Sequence, residues 1–212
     1  ELLLMLILSS DRAYLYAHPE RELTADEFSR YDDAVGQRAQ GTPAQYITGH
    51  QEFWGMDFVV TPAVLIPRPE TEHVIELALE LAREDRVAQS GVRLRIADVG
   101  TGSGCIALTL AKELPGAEVL AVDISGDALE IARANAARLQ LQSRVQFRQA
   151  DLLQGVAPAS LDLIVSNPPY VGESEEEQVQ LEVRKFEPRQ AVFAGATGVE
   201  VIERLITQAT SA

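Results

Sequence analysis

The strongest constraint on the fold is a strand, a glycine-rich loop and a helix that follow one another near the middle of the chain. Residues 94–99 are mostly apolar and predict a buried strand. The chain then passes through Gly100, Gly102 and Gly104, which allow sharp turns and close approach to a ligand. Residues 106–111 predict a helix, whose amino terminus would present free N–H groups. This order of elements predicts a nucleotide-binding α/β core.

Further strands are predicted at residues 118–123, 145–149 and 161–166, alternating with helices at 73–83 and 128–135. Strands that alternate with helices indicate a parallel, doubly wound sheet with right-handed crossovers. The carboxyl ends of such strands border one cleft. We therefore expect four polar residues at successive strand ends to face that cleft: Asp98, Asp123, Asp151 and Asn167. Asp123, 19 residues beyond Gly104, is placed to bind two ribose hydroxyls.

Residues 167–170, Asn-Pro-Pro-Tyr, follow the last of these strands. The prolines lack an N–H and fix φ, and Pro168 keeps Asn167 out of the helical region, so the carboxamide is held on a stiff turn. It can accept and donate hydrogen bonds, the Pro168 carbonyl is a second acceptor, and the Tyr170 ring can pack over a flat group. The motif predicts a pocket for a planar nitrogen group, such as an amide or exocyclic amine. Taken alone, it also fits an ordinary strand-ending turn with a structural asparagine.

Two cofactors fit the glycine loop. Residues 102–107 match the dinucleotide pattern G-x-G-x-x-A. The larger pattern, Asp98-x-Gly100-x-Gly102-x-Gly104, resembles motif I of class I S-adenosylmethionine-dependent methyltransferases, in which the acid helps to hold the methionine end. S-adenosylmethionine is favoured, because a dehydrogenase gives no account of the Asn-Pro-Pro-Tyr motif. The resemblance also implies that Asp151 contacts the adenine amino group, beside Leu152.

The composition and net charge limit the kinds of molecule that the protein is expected to bind. The 212 residues are 46% hydrophobic and 24% charged, which is typical of one globular domain with a small appendage. A net charge of −14 without a Lys/Arg cluster argues against direct nucleic-acid binding and suits a basic protein partner.

The cysteine and histidine content bears on metal sites and location. One cysteine and three scattered histidines predict no metal site and a cytoplasmic location. The apolar run 2–8 is too short to span a membrane, and without an initiator Met the chain is expected to be a fragment.

The first 72 residues predict a separate architecture. Residues 1–40 predict helices, one of them starting at a capping box of Thr24 and Glu27, and form either a partner-docking module or a brace for the main domain. Residues 53–60 predict a hairpin and 64–66 a short strand. Residues 67–72, Pro-Arg-Pro-Glu-Thr-Glu, form either a plain linker or a rigid arm beside the site. Near the other end, 173–177 predicts a solvated acidic loop and 198–208 a helix.

Taken together, residues 67–72, the glycine loop and residues 167–170 resemble the HemK/PrmC family of protein-(glutamine-N5) methyltransferases, which modify peptide-chain release factors. The resemblance covers about residues 43–204 and includes Pro-Ala-Gln-Tyr-Ile-Thr-Gly at 43–49 and Glu187-Pro188. It implies a class I methyltransferase fold, Rossmann-like with a mostly parallel sheet, and a small N-terminal helical domain joined to it by a β-hairpin. The implied division is 1–45 for release-factor recognition, 46–72 for the hairpin linker and 73–212 for the catalytic domain. Because the family's sheet continues past residue 212, we expect the C-terminal strands to be missing.

The resemblance also implies site residues. The catalytic residues would be Asn167, Pro168 and Tyr170. The cofactor-binding residues would be Asp98, Gly100, Thr101, Gly102, Ser103, Gly104, Asp123, Ile124, Asp151, Leu152 and Asn167. The substrate-binding residues would be Arg68, Glu70, Thr71, Asn167, Pro168, Pro169 and Tyr170.

The implied activity is S-adenosylmethionine-dependent methylation, at N5, of the glutamine in the Gly-Gly-Gln motif of release factors. Two alternatives stay open at this point. A nucleic-acid adenine-N6 or cytosine-N4 methyltransferase would use the same Asn-Pro-Pro-Tyr pocket for a flipped base, although the acidic charge opposes it. A non-catalytic protein that only binds S-adenosylmethionine would retain the glycine loop, although the intact Asn167 turn opposes that.

Overall fold

The computed structural model describes residues 1–84 and 93–212, and its first part is helical. The helices are α1 (Leu2–Leu8), α2 (Arg12–Ala17), α3 (Ala25–Ala39) and α4 (Ala44–Thr48). At the start of α3, the Glu27 N–H donates to the Thr24 hydroxyl and the Thr24 N–H donates to the Glu27 carboxylate. This reciprocal pair satisfies two backbone donors, and it confirms the predicted capping box. Helix α1 packs against α3 and α4.

A two-stranded antiparallel hairpin follows, formed by β1 (His50–Phe53) and β2 (Met56–Val59). The prediction of a hairpin is confirmed, but the predicted strand at 64–66 is wrong. Val64 and Ile66 are buried in irregular chain, and the Ile66 N–H donates to the Glu187 carboxylate rather than to a neighbouring strand. The apolar side chains of this stretch fill the core: Val64 packs in a cluster with Val60 and Ala128.

The central sheet has four parallel strands in the order β5-β4-β3-β6. They are β3 (Arg95–Val99), β4 (Glu118–Asp123), β5 (Val145–Gln149) and β6 (Leu163–Ser166), and the helices of this region are α5 (Glu72–Glu84), α6 (Cys105–Glu113) and α7 (Gly126–Arg138). The predicted doubly wound α/β sheet is confirmed. The chain adds β4 and β5 on one side of β3 and then crosses to add β6 on the other. This reversal opens a crevice at the carboxyl ends of β3 and β6, which is where open α/β sheets bind ligands.

Short helices close the chain after β6. A 3₁₀ helix at Glu173–Gln178 precedes α8 (Leu181–Phe186) and α9 (Arg189–Val192), and α10 (Glu200–Ala209) confirms the predicted last helix. The predicted solvated acidic loop is therefore only partly right. Its side chains are mostly exposed, but Glu176 forms a two-pronged ion pair with Arg189, at 2.8 and 3.0 Å, which ties the 3₁₀ helix to α9.

Candidate active site

The glycine loop between β3 and α6 is folded tightly because three of its residues have positive φ. Gly100, Gly102 and Gly104 have φ of 74°, 54° and 83°, a region that costs a residue with a Cβ but not glycine. At Gly104 a Cβ would also lie 3.2 Å from the Ala132 Cβ. The third glycine therefore lets the start of α6 approach α7 closely.

The buried Asp98 side chain accepts hydrogen bonds that hold the glycine loop and the start of α6 together. Its Oδ2 accepts a 2.6 Å hydrogen bond from the Thr101 hydroxyl and a 3.1 Å bond from the Ala107 N–H in α6. The side chain is fully buried, Oδ1 has no hydrogen-bond partner among the described residues, and burial raises the pKa of the carboxyl to about 7. Asp98 does not line the adjoining cavity, so its expected contact with the methionine end of the cofactor stays a prediction.

Asp123, at the end of β4, joins the next strand to the loop. Its Oδ2 accepts the Gly102 N–H at 2.8 Å and its Oδ1 accepts the Ser125 N–H at 2.9 Å. Ser125 in turn caps α7, with its hydroxyl accepting the Ala128 N–H. The carboxylate is half-buried and faces the cavity, where its remaining lone pairs can accept the hydroxyls of a ribose.

Asn135 is a buried residue of the site that sequence reasoning missed. Its side chain pairs with both backbone groups of Val59, accepting at 2.8 Å and donating at 3.0 Å, and also donates to the Ser103 carbonyl at 2.9 Å. One carboxamide therefore joins the end of the hairpin to the glycine loop. The only signal for it in the sequence is its place on the face of α7 whose other buried residues are apolar.

A cavity of about 330 Å³ lies at the carboxyl ends of the strands. Most of the predicted cofactor-binding residues line it; Asp98 and Gly104 do not. Those that do are Gly100, Thr101, Gly102, Ser103, Asp123, Ile124, Asp151, Leu152 and Asn167. The glycine backbone at one end, the acids at 123 and 151 and the apolar wall between them fit a nucleoside cofactor with a polar tail.

Arg204, in α10, also lines this cavity and was not predicted from the sequence. It forms an ion pair with Asp151, 53 positions earlier in the chain. The acid predicted for the adenine amino group is thus already oriented by a guanidinium. No local pattern signals the pair, because α10 approaches β5 only through the fold.

The Asn167 turn lies at the border of a second cavity, of about 510 Å³. The Asn167 Nδ2 donates to the Thr71 hydroxyl oxygen at 3.2 Å. The hydroxyl of the preceding residue, Ser166, donates to the Val99 carbonyl at 2.6 Å. Arg68, Glu70, Pro168 and Tyr170 line the second cavity, whereas Thr71 and Pro169 line the first. Asn167 and Arg68 line both, so the predicted catalytic amide stands where the two cavities meet.

Residues 64–71 form a rigid arm beside the site rather than a plain linker. The Arg68 guanidinium donates to Glu187 Oε1 at 2.5 Å, and the side chain of Glu187 is only 2% exposed. The Tyr46 hydroxyl donates to the Val64 carbonyl at 2.7 Å; burial and then the nearby Glu187 carboxylate raise the pKa of Tyr46. Glu187 was noted in the sequence only as part of the family match, and no role was assigned to it.

Metal and membrane features are absent from the described ranges. Within residues 1–84 and 93–212, no cluster of three or more His, Cys, Asp or Glu side chains is arranged to hold a metal ion. The helices described there are too short or too polar for a membrane span.

Comparisons with known proteins agree with this geometry. Residues 1–49 match the PrmC N-terminal domain, and residues 84–186 match the methyltransferase small domain. The fold also resembles the hMettl16 catalytic domain, crystallised with an MAT2A 3′UTR hairpin, with a TM-score of 0.58 at 17% identity, over 94% of this chain and 73% of that one.

Curated relatives are closer in sequence. The release factor glutamine methyltransferase of Koribacter versatilis is 61% identical over 98% of this chain and 72% of its own length. The enzyme of the same name from Chlorobaculum tepidum is 46% identical over the whole chain and 72% of its own length. With a glycine loop, an Asn-Pro-Pro-Tyr turn and this degree of identity, the chain belongs to the family of release factor glutamine methyltransferases.

Proposed function

We propose that this protein transfers the methyl group of S-adenosylmethionine to the side-chain nitrogen of the glutamine in the Gly-Gly-Gln motif of a peptide-chain release factor. The observation that carries the proposal is the position of Asn167, whose side chain borders both a nucleoside-sized cavity and a second cavity lined by Pro168 and Tyr170. A methyl donor in the first cavity and a glutamine in the second would meet at this residue. The family of the chain supports the same reaction.

The first cavity suits S-adenosylmethionine, which supplies a methyl group already activated for transfer. In the proposal, the backbone of residues 100–103 would hold the methionine end, and Asp98 would keep that loop in shape. Asp123 accepts the ribose hydroxyls, with Ile124 beside it. Asp151 accepts the adenine amino group, and Leu152 packs against the ring.

The protein's task is to orient a poor nucleophile. The lone pair of an amide nitrogen is delocalised into its carbonyl, so positioning and electrostatics must favour attack. The Asn167 Oδ1 and the Pro168 carbonyl accept the two N–H groups of the substrate amide. The lone pair then points toward the first cavity, and both oxygens stabilise the positive charge that develops on nitrogen. No strong base would be needed before attack: the bond from nitrogen to the methyl carbon would form as the sulfur–methyl bond breaks, S-adenosylhomocysteine would be the leaving group, and the nitrogen would then lose one proton to water.

The rest of the second cavity recognises the substrate. Tyr170, 65% exposed, offers a ring face for the flat amide and its neighbouring glycines. Arg68 and Glu70 supply a donor and an acceptor for the peptide backbone, and Pro169 shapes the turn beneath them. Such a small motif fits between these groups because glycine adds no side chain.

The remaining parts of the chain take the roles implied by their positions. Residues 1–45 recognise the release factor, with Phe28 and Val35 exposed on α3 as apolar contacts. Residues 46–72 connect this helical part to the catalytic domain, 73–212. The net charge of −14 suits a basic protein surface and requires no direct contact with nucleic acid. A cytoplasmic location follows from a substrate that acts on the ribosome.

Mass spectrometry tests the proposal. Purified release factor is incubated with S-adenosylmethionine and the complete protein, with DNA and RNA oligonucleotides in parallel. We expect one added methyl group on the glutamine of Gly-Gly-Gln, lost in Asn167→Ala and kept in Gln178→Ala, which removes an exposed carboxamide outside both cavities. Methylation of adenine or cytosine alone would overturn the proposal.

A further inference from the structure

Among the described residues, Thr71 makes the one hydrogen bond to the side chain of Asn167. It ends the 3₁₀ helix Pro69–Thr71 and is 7% exposed, and its Oγ1 accepts the Asn167 Nδ2–H at 3.2 Å. Its own N–H donates to the Arg68 carbonyl at 3.0 Å. The hydroxyl is therefore held in place by the rigid arm, and it lies on the side of the first cavity.

A carboxamide has two ends of similar shape and opposite hydrogen-bonding character. In this structure the nitrogen end of Asn167 is bound by Thr71. No described residue donates to its oxygen end, and Oδ1 is not among the buried unpartnered atoms, so it is open to the cavities. A half-turn about the last side-chain bond would exchange the ends. The Thr71 hydroxyl could then donate to the oxygen end, but the nitrogen would point its hydrogens at the N–H groups of a bound amide, which is repulsive.

We infer that Thr71 is a positioning residue: its hydroxyl holds the Asn167 carboxamide in place between the two cavities, and a bound substrate amide then selects the orientation in which the oxygen end of Asn167 faces it. This rests on the proposed function, and it gives Thr71 a role through Asn167 in place of the direct substrate contact expected from the sequence. It also explains the proline-bracketed segment. Pro67 and Pro69 restrict the backbone around Arg68, and this restriction limits the positions open to the Thr71 hydroxyl, two residues after Pro69.

The test compares variants that differ by a single group. Thr71→Val keeps the shape and removes the acceptor; Thr71→Ser keeps the acceptor and removes the methyl group. We expect Thr71→Val to lower kcat for release-factor methylation about tenfold, because a carboxamide that is no longer held loses the equivalent of one hydrogen bond to the substrate amide in the transition state. The KM for the release factor and the Kd for S-adenosylmethionine, measured by calorimetry, should stay within about twofold. Thr71→Ser should retain most of the kcat.

The outcomes separate this inference from its alternatives. A raised KM with unchanged kcat in Thr71→Val would mean that Thr71 binds the substrate itself. Equal losses in the Val and Ser variants would mean that only packing matters, and either result overturns the inference. If Thr71→Val fails to fold by circular dichroism, Thr71→Ala against Thr71→Ser isolates the same oxygen. An unsubstituted protein that does not methylate release factor would contradict the proposed function instead.

Discussion

Arg68 donates a hydrogen bond of 2.5 Å to Glu187, although 119 positions separate the two residues in the chain. The second oxygen of Glu187 accepts the Ile66 N–H at 3.2 Å. One buried carboxylate thus holds both the side chain and the backbone of the arm that carries Thr71. It does so from the segment between α8 and α9, where Glu187 lines the second cavity.

Glu187→Ala should therefore loosen the arm. It leaves the Ile66 N–H buried without an acceptor and the Arg68 guanidinium, which is 35% exposed, without its partner. We expect the free energy of unfolding to fall by about 1–3 kcal/mol and the KM for release factor to rise. Urea unfolding and steady-state kinetics measure the two effects. Glu177→Ala, which removes an exposed carboxylate from the same part of the chain, should change neither; equal effects in both variants would contradict the role of Glu187.

Asp123→Ala should weaken the cofactor complex more than the chemical step. The substitution removes the acceptor proposed for the ribose and also releases the Gly102 and Ser125 N–H groups. We expect the Kd for S-adenosylmethionine to rise at least tenfold, measured by calorimetry, with most of the kcat recovered at saturating cofactor. Asp127→Ala, an exposed acid in the first turn of α7, is the control. An unchanged Kd in Asp123→Ala would rule out the ribose role.

Asp98 should make stability depend on pH. Its pKa is raised from 3.8 to about 7 by burial, so the folded protein retains a proton that the unfolded chain releases between about pH 4 and 7. The free energy of unfolding therefore falls as pH rises through this window, by at most about 4 kcal/mol. Asp98→Asn keeps an acceptor for Thr101 and Ala107 but does not titrate, so its stability should exceed that of the unsubstituted protein by more at pH 8 than at pH 5. Urea unfolding at both pH values measures this, and an identical difference at the two would contradict the assignment.

Gly104→Ala should destabilise the fold more than Gly100→Ala. Both glycines have positive φ, which costs an alanine about 1–2 kcal/mol. At Gly104 the new Cβ would also lie 3.2 Å from Leu108 and Ala132, whereas at Gly100 nothing lies within 4 Å. Overpacking therefore adds about 1–3 kcal/mol to the destabilisation at Gly104 and adds nothing at Gly100. Thermal unfolding ranks the two, and a larger loss for Gly100→Ala would contradict the packing role of Gly104.

Much of the central sheet could be predicted because its signals are local. Strands β4 and β5 have the predicted bounds, since their apolar residues are bounded by polar or turn residues. The wrong strand at 64–66 shows the limit of that signal. Val64 and Ile66 are apolar because they are buried, and burial alone does not say whether the backbone pairs with another strand.

The site was predicted where polar residues follow the strands, and less well where the fold brings distant segments together. Asp98 is the penultimate residue of β3, and its side chain meets α6 instead of the cavity, whereas Asp123, the last residue of β4, lines the cavity. Arg204 and Glu187 reach the site from helices or loops whose return path no local pattern specifies. The partner of Asn167, Thr71, is likewise 96 positions away.

Asn167 lines both cavities, so one side chain would contact both the cofactor and the substrate. A ligand in one cavity that fixes this carboxamide in the orientation needed by the other cavity would change the binding free energy there, and the effect would be reciprocal by linkage. A release factor that tightens cofactor binding must itself be bound more tightly, by the same factor, when cofactor is present. In such an arrangement, the spent cofactor and the methylated product would also influence each other's departure through this one side chain.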